Sequence, residues 1–170
     1  LLNDVEGTQP ITSPFSFDPQ NNLIGCSEQM DVMLVLDGSQ SITPEDFEQM
    51  KSFAGDIVQS FEMRPGWARV GIVQFGQNAE VAAPLSYSAE SLLQTLDEMP
   101  QMMGYETNLV NALSEAHDEL GRNERANAAQ VMVLITDGKH NQPGDPVQKA
   151  NDIKADGMGI FTIGVGNGPD

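Results

Sequence analysis

Basic residues are scarce in this sequence: eight Lys and Arg stand against 25 Asp and Glu, a formal net charge of −17. A surface that acidic repels phosphate backbones and anionic headgroups, which excludes nucleic acid as a partner and direct docking on acidic lipid. Long apolar runs are missing too. No stretch approaches the ~20 residues that cross a bilayer, so direct membrane insertion is excluded. No secretory leader is legible at the start, and the sequence reads as a mature chain or a fragment. Cysteine occurs once, at Cys26. It cannot close a disulfide within this chain; it is either a free thiol or half of a bridge whose mate lies beyond Asp170 or on another chain. Also absent are the phosphate-cradling G-x-x-x-x-G-K-[ST] loop, a G-x-S-x-G elbow and a second Asp two residues after Asp37. With so few basic groups to balance phosphate charge, neither phosphoryl transfer nor triad hydrolysis has an anchor, and no enzymatic activity is expected.

What is present is one domain's worth of chain, 170 residues at 39% hydrophobic content, enough to bury a substantial core. Its organising stretch is Asp31-Val-Met-Leu-Val-Leu-Asp37-Gly-Ser39-Gln-Ser41. The short apolar, β-rich run reads as a strand buried on both faces, as in a parallel sheet. Asp37, Ser39 and Ser41 then fall on the loop that follows it. Three small oxygen donors on alternate residues suit a hard divalent cation such as Mg²⁺.

The loop leads into a helix announced by Thr43-Pro44-Glu45-Asp46: an N-cap, a proline at the first helical position and acids in the first turn. Phe47, Met50, Ala54, Ile57, Val58 and Phe61 continue it as one apolar stripe. A second strand spans Trp67 to Phe75. A short turn links it to a third, Glu80 to Leu85, which must pair antiparallel because so few residues cannot hold a crossover helix. Pro84 places that third strand at the sheet edge. A short helix from Ser88 carries Leu92, Leu93 and Leu96. A further helix carries Leu109, Val110, Leu113, Ala116, His117 and Leu120, with Thr107 at or beside its start, where a plain N-cap is the simplest role. Ala129 to Thr136 forms another fully apolar strand and ends in Asp137-Gly138. Asp145-Pro146 opens a helix with Val147, Ala150 and Ile153 directed inward, and Gly159 to Gly166 reads as a last buried strand. Residues 1–27, with Pro10, Pro14 and Pro19, form an extended linker in which Phe15 and Phe17 alternate as in a short edge strand; residues 28–170 form the domain. The alternation predicts a doubly wound, mostly parallel α/β sheet with one antiparallel edge strand and helices on both faces. Ligands of such sheets bind beyond the carboxyl ends of the strands where the winding reverses. That places Asp37 and Asp137 across one crevice, provided their strands are neighbours.

Asp37-x-Ser39-x-Ser41, then Thr107 ahead of an amphipathic helix, then Thr136-Asp137-Gly138 resemble the metal-ion-dependent adhesion site of von Willebrand factor type A domains, which are also the I domains of integrins. The resemblance runs from about Met30 to Gly166 and implies a Rossmann-like fold. It implies Asp37, Ser39, Ser41, Thr107 and Asp137 as the metal set: the serines and, depending on state, the threonine bind directly, and one or both aspartates act through water. It also implies that a further strand and a C-terminal helix, absent from this sequence, complete the domain. In several extracellular members a cysteine before the first strand pairs with one after the last helix, which implies such a mate for Cys26.

Hydroxyl ligands leave a cation strongly electrophilic, and an open coordination position then invites a Glu or Asp side chain from a protein partner. The expected function is a noncatalytic, extracellular or cell-surface binding module of adhesion or matrix assembly. Its cation would be Mg²⁺, with Mn²⁺ or Ca²⁺ as alternatives, and its partners include further copies or neighbouring modules of a larger chain. The competing reading is a structural module whose site is empty or only stabilising. Gln40, where the family commonly has a small residue, joins Glu106, Lys139 and His140 as candidate partner-contact rim; His140 is expected as a solvated loop residue. His117 reads as a packed or rim histidine, and Met99, Met102 and Met103 as core filling near the Thr107 loop.

Overall fold

The computed structural model describes residues 29–122 and 124–165, together with the short strands β1 (Ser16–Phe17) and β2 (Leu23–Ile24). Those two strands pair antiparallel with each other, Ser16 opposite Ile24. The rest of the expected linker, with Phe15 and Cys26, lies outside the described residues.

Five strands make the main sheet: β3 (Gln29–Asp37), β4 (Ala68–Phe75), β5 (Ala79–Ser86), β6 (Ala128–Thr136) and β7 (Gly159–Gly164). Their spatial order is β5-β4-β3-β6-β7, and only the β4–β5 pair is antiparallel. β3 is central, flanked in register by β4 and β6, and every residue from Asp31 to Asp37 is buried. That burial explains the unbroken apolar run. Its even-numbered residues Val32, Leu34 and Leu36 face one layer and its odd-numbered Met33 and Val35 the other, because successive strand side chains alternate.

On the even face lie α1 (Pro44–Ser60) and α2 (Ala89–Glu98). Phe47, Met50, Ala54 and Val58 of α1 and Leu92 and Leu96 of α2 complete that core. Thr43 caps α1 by accepting from Asp46 N, with Pro44 at the first turn. On the odd face lie α3 (Leu109–Arg122) and α4 (Pro146–Ala155), which contribute Leu109, Ala112, Leu113, Ala116, Leu120 and Ile153. Each fully buried Leu or Ile contributes roughly 1.5–3 kcal/mol through area removed from water. Asp145 caps α4 through Val147 N and Gln148 N.

Two expectations fail. Val147 does not point inward; it is 67% exposed. It sits on the first turn beside the cap, before the α4 stripe of Ala150 and Ile153 meets the core. β7 is not a buried strand either: among the described residues it is an edge, and Phe161 is 63% exposed. Its sequence is apolar on both faces, yet of its residues only Ile160 and Ile163 pack against the two cores.

The winding reverses at β3. From there the chain passes outward through β4 to β5, then returns by α3 to β6 on the other side. The crevice between the carboxyl ends of β3 and β6 is therefore the switch point.

Candidate metal site

β3 ends in Asp37, whose carboxylate is fully buried at that crevice. Asp37 Oδ1 accepts from Ser39 N at 2.9 Å and Oδ2 from Thr136 Oγ1 at 2.7 Å, so the last residue of β6 is tied to the last residue of β3. Gly38 lets the neighbouring segments pack close at this exit. A Cβ there would stand 2.7 Å from Gln74 Nε2 and 3.1 Å from Met102 N, so the Gln74 side chain and the Met102 backbone would have to give way. Gln74 is itself buried and donates to Pro100 O at 3.0 Å, which pins the segment leading to Thr107.

From Asp37 the oxygens run outward. The Ser39 hydroxyl lies 3.1 Å from Ser41 Oγ, and the Ser41 hydroxyl stands near enough to Asp137 to help hold its carboxyl low. Asp37, Ser39, Ser41 and Asp137, four of the five expected side chains, thus gather at one end of β3 and β6. The fifth, Thr107, arrives from the segment before α3 and is almost fully buried. It shares with Ser41 an open cavity of about 420 Å³, whose other lining residues are Gln40, Tyr105, Lys139 and Asn141.

The Thr107 segment is held on both sides. Gln40 N donates to Gly104 O at 2.9 Å, and Gln101 Nε2 reaches Ser39 O and Ile42 O. From the loop after β6, Asn141 Oδ1 accepts from Thr107 N at 2.8 Å while its Nδ2 donates to Tyr105 O at 2.9 Å. His140 is half-buried rather than solvated. Its Nδ1 accepts from Leu109 N at 3.3 Å, and its Nε2 lies 3.3 Å from Gly144 O. It is a staple between two loops because the turn after Gly138 brings its ring against the start of α3. Of the other rim candidates, Gln40 and Lys139 line the cavity, whereas Glu106 is half-buried beside it. His117 pairs with Asp156 across α3 and α4 at 3.1 Å. Met99 fills core, but Met103 is 65% exposed on the segment that leads to the cavity.

Burial pushes the Asp37 carboxyl above the usual carboxylate range. Bonds from Thr136 and Ser39 oppose that shift, and the nearby Asp137 charge adds to it. Asp137 differs: burial works against its ionisation, but the Lys139 ammonium, the Ser41 hydroxyl and the Lys139 N–H outweigh it and hold the carboxyl low. Among the described residues no ammonium or guanidinium bonds Asp37. A buried carboxylate facing a second one lacks positive charge, and hydroxyls surround the gap. Among the described residues no three His, Cys, Asp or Glu side chains converge as a metal cluster, so a cation here would have to be held largely by hydroxyls. That donor set, all hard oxygen, fits Mg²⁺ or Mn²⁺ better than a soft metal.

Sequence reasoning did not single out Asn141, Gln101, Gln74 or Tyr105. None falls on an apolar stripe or belongs to a ligand pattern, and only the juxtaposition of loops reveals them.

An open, doubly wound α/β domain with an oxygen-lined cavity at its switch point is the class that this fold and cavity define. The model of the von Willebrand factor type A domain matches residues 31–170, and the chain belongs to that family. It is 33% identical to mouse (Mus musculus) matrilin-1 over 146 residues, 80% of this chain and 28% of matrilin-1. Over 157 residues it is 29% identical to the mouse collagen alpha-6(VI) chain, covering 84% of this chain and 6% of the collagen chain. The chain thus spans less than a third of the length of either relative. Among solved structures it is similar to proximal thread matrix protein 1 of the mussel byssus with a zinc-occupied MIDAS motif. There the TM-score is 0.76 at 27% identity, over 83% of this chain and 39% of that one. Manganese-loaded TRAP protein of Plasmodium vivax gives a TM-score of 0.76 at 25% identity, over 86% of this chain and 61% of that one.

Proposed function

We propose that this domain is a noncatalytic, metal-dependent protein-binding module of an extracellular adhesion or matrix protein. Asp37, Ser39, Ser41, Thr107 and Asp137 hold a divalent cation, Mg²⁺ in the first instance, with Mn²⁺ or Ca²⁺ able to replace it. The cation accepts a Glu or Asp side chain of the partner. The observation that carries this reading is the cluster of oxygens at the switch point: buried Asp37, held by Ser39 N and Thr136 Oγ1, lies beside the paired Ser39 and Ser41 hydroxyls, and Ser41 opens with Thr107 into one cavity. Relatives named as collagen and matrilin, and solved neighbours carrying zinc or manganese, support it. The bound cation supplies electrophilic attraction for an incoming carboxylate. The protein's part is to hold the hydroxyls in place and to keep Asp37 out of water. We place the module at residues 28–170, with 1–27 as an extended linker.

The test has two stages. Cation at about 100 times its dissociation constant should stabilise the domain by about 2.7 kcal/mol, a rise of roughly 5–10 °C in Tm for a chain of this size. Asp37→Ala and Ser39→Ala should lose that rise while keeping the far-UV circular dichroism of the parent. Immobilised peptides carrying a single Glu should then retain the domain in Mg²⁺ and release it in EDTA, and their Gln counterparts should not retain it. Retention that survives EDTA would sink the metal-dependent reading.

One observation favours a second reading. Among the described residues every buried polar side-chain atom has a hydrogen-bond partner, so the loops can stand without a cation. A structural module of a larger assembly, its site empty or only stabilising, would show no difference between Glu and Gln peptides, whether or not the cation raises its Tm.

A further inference from the structure

Of the side chains lining the cavity above Ser41 and Thr107, one is a cation: Lys139. Its Nζ lies 2.8 Å from Asp137 Oδ2, and its backbone N–H donates to Asp137 Oδ1 at 3.1 Å. Gly138, at φ +81°, turns the chain between them and folds the lysine stem back over the carboxylate. One residue therefore engages both oxygens of Asp137. The two side chains differ in access: that of Lys139 is 67% exposed and that of Asp137 only 11%. The outer carboxylate of the site is thus already matched by a positive charge on a flexible tether. The inner one is not, since Asp37 is bonded by Thr136 and Ser39 alone.

We propose that Lys139 is a tethered counter-ion that competes with the divalent cation for Asp137 and so sets the cation affinity of the site. The inference rests on the reading of these residues as a cation site and deepens it. A cation entering the cavity meets the ammonium within a few ångströms, at a distance where like charges repel even near the surface. It must share Asp137 with that charge or drive it into solvent. Displacement costs little, because the ammonium is already mostly hydrated and its stem is free to swing. The arrangement also selects by valence. A monovalent ion gains nothing over a monovalent group that is covalently held at the site, whereas a divalent ion brings the second charge that Asp37 lacks.

The experiment is a titration of the 170-residue chain with Mn²⁺, the free ion being followed by electron paramagnetic resonance. Five proteins are compared at low and high NaCl: the parent, the neutral variants Lys139→Met and Lys139→Gln, the charged variant Lys139→Arg, and Ser39→Ala. Folding of each is checked by its Tm in EDTA. Lys139→Met should bind Mn²⁺ about threefold to tenfold more tightly at low salt, with the gap closing at high salt as exposed charges are screened. Lys139→Arg should match the parent, and Ser39→Ala should lose binding. Equal or weaker binding by both neutral variants, with Ser39→Ala still defective, overturns the competition and leaves the cation site standing. Tightening that Lys139→Arg shares overturns it as well, because charge would not be the cause. Mn²⁺ bound by none of the proteins overturns both the competition and the site.

Discussion

At the scale of single residues, the two aspartates of the site do opposite work. Asp137 keeps its charge cheaply because Lys139 lies against it. Asp37 is buried with no cationic partner among the described residues, and its carboxyl is pushed up by that burial. A folded-state pKa above the unfolded one means that the folded chain binds the proton more tightly. The ionised form therefore destabilises the domain above that pKa, and stability recovers as pH falls through it. Asp37→Asn keeps the shape and the acceptor for Ser39 N while removing the charge. In EDTA at pH 7 it should raise the Tm by a few °C, on the order of 1 kcal/mol for a chain of this size. The gain should shrink as pH is lowered into the range where the parent's Asp37 protonates, and the same variant should lose the cation-induced rise. A Tm in EDTA that falls at pH 7 would mean that the amide cannot satisfy Thr136 and Ser39 together, and that hydrogen bonding outweighs charge at this position.

At the scale of elements, the strands and helices were legible where the chain must bury one pattern against another. β3 and β6 declare themselves through apolar runs ending at Asp37 and Thr136, and α1 through its Thr43 cap, Pro44 and apolar stripe. The five proposed ligands were legible for a related reason: each lies at, or a few residues from, an end of β3, α3 or β6 that the sequence marks. β7 misled because an apolar composition does not say whether a neighbour covers it, and Val147 because periodicity is ambiguous in the first turn of a helix. The loop braces were not legible at all. Asn141 bonds Thr107 N and Tyr105 O, and its own N–H donates to Thr107 O at 3.3 Å, contacts 34 and 36 residues distant in sequence with no periodic signature. That brace is the only side chain among the described residues to bond the backbone on both sides of Glu106. Asn141→Ala leaves the Thr107 amide and the Tyr105 carbonyl without it and should cost about 1–3 kcal/mol of stability. Cation affinity should fall severalfold without vanishing, since Asp37, Ser39 and Ser41 lie on a different loop. Calorimetric titration with Mn²⁺ measures the affinity; a complete loss would make the brace part of the site itself.

At the scale of the whole molecule, the sheet has two charged poles, and β3 carries an aspartate at each. Asp37 ends the strand at the crevice. Asp31, six residues earlier and about 20 Å away along an extended strand, is fully buried between two guanidiniums. Arg69 Nε and Nη2 reach it at 2.8 and 2.7 Å, and Arg125 Nη2 reaches it at 2.7 Å while also donating to Met30 O and Trp67 O. Burial alone would raise the Asp31 carboxyl, but the two arginines outweigh it and hold it below the usual range. The sign is therefore opposite to that of Asp37. The stability that ionised Asp31 contributes is complete above its unfolded pKa, near the ordinary value of 3.8, and is lost as pH falls from there through the depressed folded pKa. Asp31→Asn leaves two largely buried guanidiniums without their counter-charge and should cost about 3–5 kcal/mol at neutral pH. It should also flatten the fall in stability below pH 4. Sites this far apart with no shared partner act independently, so the variant, kept well below its lowered Tm, should bind Mn²⁺ with the parent's affinity. The two measurements together decide whether β3 is only the strut between the poles or also transmits strain from one to the other: a Mn²⁺ affinity that falls along with the Tm would establish the second.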